Sequence, residues 1–217
     1  VKLHSLNKED KKQFKPASSA CLYLREYINV IDKRLDMMVD FKPEDETGEK
    51  AREFLDKKVI PKIGELKKEF LKRAEEADLD LEKELPIDEQ VLTPADFGFH
   101  NILKNGKEYK FLDFEYFGRD DPIRQILDFW HHAKSAEISE ELKRKFLKFY
   151  VEKRNLSKDF EKRFKLIEPL IAITWVLIIL NVLSKKQLEH IRFAHGNADN
   201  IIEERLRNAE KKLDEIK

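Results

Sequence analysis

Pro169 to Leu183 reads PLIAITWVLIILNVL, an apolar run of 15 residues in a chain of which 40% is charged. No other stretch limits the fold so strongly. A helix that crosses a bilayer needs about 20 apolar residues. This run stops short of that, is bounded by Glu168 and by Lys185–Lys186, and is interrupted by Thr174 and Asn181. Too short to span and too apolar to face water, it predicts a helix buried on all sides, and such a helix demands a body of amphipathic helices around it.

The rest of the chain supplies those helices. Leu24, Tyr27, Ile28, Ile31, Leu35 and Met38 recur at helical spacing, which predicts a helix from a Ser18–Ser19 cap to about Val39. FKPEDETGEK breaks it, and a second helix is expected over about Thr47–Lys57. Pro61 suits the first turn of a third, striped by Ile63, Leu66, Phe70 and Leu71. ADLDLEKELPIDEQ reads as a polar loop. Past Pro122, helices are expected over about Ile123–His132, Ser139–Lys153, Lys158–Lys165 and Pro169–Leu183, then from Lys185 onward with a break near Gly196. Only NILK and YKFLDFEYF change the period, as short extended segments around Asn105-Gly106, a strong hairpin signal. The expected fold is mainly α, of α+β type: one domain over residues 1–217, a helical body with a small β-hairpin.

Charge and cysteine usage narrow the function classes. Lys plus Arg and Asp plus Glu both number 43, so there is no basic excess of the kind a general nucleic-acid binder needs. The one basic run with interleaved aromatics, ELKRKFLKFYVEKR, has the period of an amphipathic helix. Neither a nucleic acid nor a membrane is therefore an expected partner. The single cysteine, Cys21, excludes an internal disulfide and points to a reducing, cytoplasmic setting. It lies on an apolar stripe and is expected to serve packing. The opening residues lack the apolar core of a secretion signal.

The residues suited to chemistry gather at the hairpin. Asn101 lies five positions after Asp96, and Asp113 twelve after Asn101. A hairpin of this size brings its two ends together, so the three side chains are expected to converge at its open end. There one carboxylate can accept a hydroxyl proton, while a second carboxylate and an amide oxygen hold Mg²⁺, an ion that prefers oxygen ligands. Phosphoryl transfer needs that arrangement, because its chemistry is mostly positioning and charge neutralisation. His100 reads as a turn histidine bonded to backbone. His131 and His132 are adjacent on a helix, point in different directions, and are not expected to share a metal.

D-x-x-x-x-N followed by an apolar strand ending in Asp is similar to the catalytic-loop and metal-loop pair of kinases. ADFGFHNIL and FLDFEYFGRDDP resemble the aminoglycoside phosphotransferase and choline kinase group, most of all a bacterial branch reading SPSDFGFHN and DFEYFGxDDP. ASSACLYLREYINVIDKRL and RFKLIEPLIAITWVLIILNVL resemble the same branch, so the resemblance covers most of the chain. It implies the C-terminal lobe of a protein kinase-like fold, ATP as co-substrate, Mg²⁺, and a small-molecule hydroxyl as acceptor. Asp96 would be the catalytic base or the residue that orients the hydroxyl. Asn101 and Asp113 would hold the nucleotide-bound Mg²⁺. Glu115 would support that ion from behind or bind a second one. Asp121 and Asp128 match acidic positions of the branch and are read as structural.

The departures are also informative. Pro94 stands where many relatives have His, two residues before the base. The six glycines form neither G-x-G-x-x-G nor G-x-x-x-x-G-K-[ST], and no strand-rich segment is evident before Ser18. The expectation is a lobe lacking its N-terminal, nucleotide-covering partner, inactive alone and prone to self-association through the surface left bare. The alternative is a non-catalytic helical binding module of kinase-like shape. A metal-dependent hydrolase is weaker still, since nothing supplies a clear water-activating set.

Overall fold

The computed structural model describes residues 6–132, 138–154, 156, 158–195 and 198–216. The chain divides into two compact units. The first comprises Val1–Glu26 and Asp80–Glu168, the second Tyr27–Leu79 and Pro169–Lys217.

The first unit opens with helix α1 (Lys8–Lys12), capped by Asn7, whose side chain accepts from the Asp10 N–H. Its β-structure is two antiparallel pairs. Strand β1 (Val91–Thr93) pairs with β4 (Gly118–Asp120), and β2 (Ile102–Asn105) with β3 (Glu108–Phe111). The β1–β4 pair, which the sequence analysis did not foresee, encloses the hairpin and brings its two ends together, with Thr93 opposite Gly118. Residues Lys15–Ala17 run along the outer edge of β4: Arg119 N–H donates to the Lys15 carbonyl and Ala17 N–H to that of Arg119. Three helical segments follow, α5 (Pro122–His131), α6 (Glu140–Arg154) and the first half of α7 (Lys158–Ile179). Trp130 meets Phe164 edge-on at 5.3 Å between ring centroids, and Phe160 links Phe164 to Tyr150.

The hairpin turn differs by one position from the dipeptide that announced it. Asn105 is still in the strand, paired with Glu108, so Gly106 and Lys107 are the two loop residues. Gly106 has φ +58° and Lys107 has no positive φ. Glycine first and an ordinary residue second is the pattern of the type II′ turn, whose twist matches the flanking strands.

The second unit is helical. It contains most of α2 (Leu24–Asp36), α3 (Glu46–Phe54), α4 (Ile60–Glu76), the second half of α7, α8 (Lys185–His195) and α9 (Asp199–Asp214). α9 packs on α3, and the 3₁₀ turn Leu180–Leu183 packs on α8 and α9. Lys67 of α4 pairs with Asp32 of α2.

Three expected boundaries are corrected. Ser18–Ser19 do not cap α2. Ser19 is left-handed at φ 59°, and the helix starts at Leu24, where Glu26 reaches back to the Tyr23 N–H. The expected second and third helices are one continuous run, because a π turn over Leu55–Val59 joins α3 to α4. Pro61 has no N–H to give, and the wider turn, in which Ile60 N–H donates to the Leu55 carbonyl, carries the chain past it. Pro169 likewise lies inside α7 rather than at a helix start. Within the apolar run, expected to be buried on all sides, Trp175 is only half-buried. The break expected near Gly196 lies outside the described residues.

Among the described residues one helix, Asp159–Leu183, is long and apolar enough to cross a membrane, and most of its apolar window is buried within the protein. Leu170, Ile173, Val176, Leu177 and Leu180 are almost fully enclosed. Leu177→Ala is therefore expected to cost about 2–5 kcal/mol, the sum of lost transfer energy and an unfilled cavity. Ile178 is only half-buried, so Ile178→Ala should cost less. Chemical denaturation of the two variants measures the difference.

Candidate active site at the open end of the hairpin

The site grows out of three tight turns. β1 ends at Thr93, whose hydroxyl accepts from the Ala95 N–H at 3.1 Å, and Asp96 N–H donates to the Pro94 carbonyl at 2.9 Å. Ala95 is held left-handed at φ 67° between these bonds. Gly98 follows in an extended conformation. A Cβ there would lie 2.5 Å from the His100 ring, so only glycine lets that ring fold over the backbone. A single 3₁₀ turn, Phe99–Asn101, leads into β2.

Asp96 and Asn101 are brought into direct contact. Asn101 Nδ2 donates to the Asp96 carbonyl at 3.0 Å. Since a carbonyl can only accept, this bond fixes the amide's orientation and leaves Oδ1 for another partner. The Asn101 carbonyl in turn accepts from the Leu112 N–H at 2.8 Å, which continues the hairpin ladder by one step and sets Asp113 just beyond Asn101. Asp113 is itself left-handed at φ 58°, a conformation that Asp tolerates better than most residues. Glu115 lies two residues on and is hydrogen-bonded to the Tyr116 hydroxyl. That bond raises the hydroxyl's pKa most, and the charges of Glu115, Asp113 and Asp96 add to the rise, so one phenol feels all three carboxylates. Asp96, Asp113 and Glu115 are all exposed.

Aromatic rings fix the turn to its surroundings. Phe97 stacks on Phe111 of β3 at 5.6 Å and meets Phe129 of α5 at 5.4 Å, while Phe99 meets the same Phe129 edge-on at 5.2 Å. His100 does not bond to backbone as expected. Its Nε2 lies 3.2 Å from Asp96 Oδ2, and its ring stacks on that of His132 at the end of α5, 4.8 Å between centroids. The side-chain ligand atoms of Asp96, His100 and His132 all lie within 4.8 Å of one another. Sequence spacing could not have revealed His132, which lies 31 positions after Asn101 and joins the site only through the path of α5.

Behind the site, buried carboxylates tie β4 to its neighbours. Asp120 Oδ1 accepts from the backbone N–H of Cys21 and of Asp121, each at 2.8 Å, and Arg124 lies 3.6 Å from its other oxygen. Complete burial pushes its carboxyl up to about 7, against the pull of Arg124 and the two N–H bonds. Asp121 caps α5 through the Ile123 N–H and pairs with Arg163. Asp128 pairs with Arg124 at 3.3 Å. Cys21 is buried and its thiol is pushed well up by desolvation, which makes it a packing residue rather than a nucleophile.

One solved structure shares this architecture: spectinomycin phosphotransferase, APH(9)-Ia, determined with ADP and spectinomycin. The two superpose with a TM-score of 0.52 at 12% sequence identity, over 94% of this chain and 61% of that one. The fold is kinase-like. The chain spans about three fifths of the length of that phosphotransferase. No protein-family profile and no curated protein sequence matches the chain.

Proposed function

We propose that this chain is the catalytic lobe of an ATP- and Mg²⁺-dependent phosphotransferase that acts on a small-molecule hydroxyl. The observation that carries the reading is the join between Asp96 and Asn101, with Asp113 one ladder step away. Two of the strained backbone positions in the chain, Ala95 and Asp113, flank this join. Strain of this kind costs about 1–3 kcal/mol per residue and persists where the surroundings hold it for a purpose. The shared fold supports the same reading.

The residues present fit Mg²⁺. Asn101 Oδ1 is left over once Nδ2 is committed to the Asp96 carbonyl, and Asp113 offers an exposed carboxylate beside it. Hard oxygen donors with room for water and phosphate oxygens are what this ion takes. When bound, it would neutralise charge on the transferring phosphoryl group. Glu115, tied to Tyr116, would support the ion's water shell. Asp96 accepts the acceptor's hydroxyl proton as the oxygen forms its bond to the γ-phosphorus and the bond to the ADP leaving oxygen breaks. His100 steadies the carboxylate through Oδ2, which leaves Oδ1 for that proton. The acceptor proposed is a small molecule with a free hydroxyl.

A nucleotide-covering N-terminal lobe completes this reading as the missing partner. Phe111, Leu112, Phe114 and Tyr116 are all exposed beside the site, and an uncovered apolar surface of this kind favours self-association. The setting proposed is cytoplasmic. The test is Mg²⁺-dependent ATP consumption with a panel of aminocyclitol acceptors, by this chain and by the chain extended with its upstream coding sequence. Turnover is expected from the long form alone, since misplacing phosphates by about 1 Å can cost a hundredfold. Equal turnover by both would remove the lobe reading. Absence of Mg²⁺-dependent nucleotide binding in the long form would overturn the function and leave a helical binding module.

A further inference from the structure

We infer that Asp96, His100 and His132 form a second metal site, of different chemistry from the Mg²⁺ site, that takes Zn²⁺ or a similar borderline transition-metal ion. Asp96 Oδ2 and His100 Nε2 are 3.2 Å apart. Two ligands on one tetrahedral Zn²⁺, each bound at about 2.0–2.1 Å, lie about 3.3 Å from each other. That pair is therefore already spaced for a shared ion. The His132 nitrogen completes a set within 4.8 Å, so it needs to close by at most about 1.5 Å to reach the same spacing.

Metal binding therefore requires His132 to close in and to turn out of its stack on His100. His132 stands just past the end of α5, with φ −60° and ψ 136°, held by its backbone N–H on the Asp128 carbonyl. The rest of the set is held more firmly. The His100 ring lies over Gly98, its side chain only 22% exposed, and the Phe97–Phe111–Phe129 contacts anchor the turn that carries Asp96.

Two imidazoles and one carboxylate select the ion class. Imidazole suits Zn²⁺, Ni²⁺ and Cu²⁺, whereas Mg²⁺ takes oxygen ligands and keeps its waters. Three protein ligands leave a fourth position open, which is the form of an accessible rather than a closed structural zinc site. The ion would sit on the carboxylate that serves as base, so occupancy withdraws Asp96 from proton transfer. That consequence rests on the phosphotransferase reading; the binding itself does not.

The experiment measures Zn²⁺ binding to the purified chain by competition with a chromophoric chelator, without nucleotide, and records the visible spectrum with Co²⁺. One equivalent is expected to bind, and the Co²⁺ spectrum should have the intensity of a four-coordinate site. His100→Ala and His132→Ala should each lower affinity about tenfold or more. His190→Ala, at an exposed histidine outside the set, should leave it unchanged. Circular dichroism checks each fold, and His132→Gln, which keeps the side-chain bulk, replaces His132→Ala if the latter does not fold. No binding, or binding indifferent to both His132 variants, overturns the site. Because no nucleotide is present, the result is separate from the fate of the phosphotransferase reading.

Discussion

Asp96→Asn is expected to reduce phosphotransfer by about 10²–10⁴-fold in the proposed phosphotransferase with its N-terminal lobe, the usual worth of a positioned base. Nucleotide affinity should hold near its original value. The backbone carbonyl of residue 96, not its side chain, accepts the Asn101 amide, so the substitution leaves the Asn101–Leu112 ladder intact. Asp113→Asn should behave differently. Losing a charged oxygen ligand weakens Mg²⁺–nucleotide binding, and the loss should be partly recovered at high Mg²⁺. Steady-state rates and nucleotide binding measured over a Mg²⁺ series separate the two roles. If both substitutions left turnover intact, the assignments would fall together. If Asp96→Asn behaved like Asp113→Asn, Asp96 would be a ligand rather than a base.

Asp121→Ala is expected to cost about 3–5 kcal/mol of stability, the range found when one partner of a buried ion pair is removed. The Asp121 side chain has no exposed surface, and the Arg163 side chain is 13% exposed. Removing the carboxylate strands a guanidinium whose remaining anionic neighbour among the described residues is Glu89, at 3.6 Å and half exposed. It also removes the N-cap of α5, a change worth about 1 kcal/mol in itself. Asp121→Asn separates these effects, since the amide oxygen can still accept from the Ile123 N–H while the charge is gone. It should fall between the parent and the alanine variant in a urea titration. The surface pairs are a useful contrast. Lys57–Glu53 and Lys145–Glu141, both solvated i,i+4 pairs, should contribute little, since water and salt screen them.

A loss at Asp121 would reach the site through α5. That helix carries Phe129, against which Phe97 and Phe99 pack, and His132 follows its last turn. The cap therefore links the stability of a helix to the placement of the turn that carries Asp96. Asp121→Ala should lower activity beyond the unfolded fraction, and Asp121→Asn should restore most of it.

The apolar run, the period-2 segments and the turn glycine were enough to predict a mainly helical chain with one hairpin. Each of these signals is local. A helical stripe or a type II′ turn is written within a few residues, because it depends on neighbours three or four positions apart or on a single φ. The closeness of Asp96 and Asn101 was equally legible, since the turn that joins them is itself a local structure; the roles of Asp96, Asn101 and Asp113 belong to the proposal. What the sequence could not show depends on distant partners. The π turn before Pro61 and the passage of α7 through Pro169 are settled by packing, which carries a helix past a missing N–H that propensity alone would treat as an end. The β1–β4 pair joins three-residue strands 25 positions apart at their nearest residues, too short to leave a periodic trace. His132 and Asp120 take their meaning only from tertiary structure. One acquires His100 and Asp96 as neighbours by the path of α5, the other acquires the Cys21 N–H from 99 positions away. Contacts between residues far apart in the chain are decided by how whole elements pack, and packing is a property of the assembled body rather than of any stretch of it.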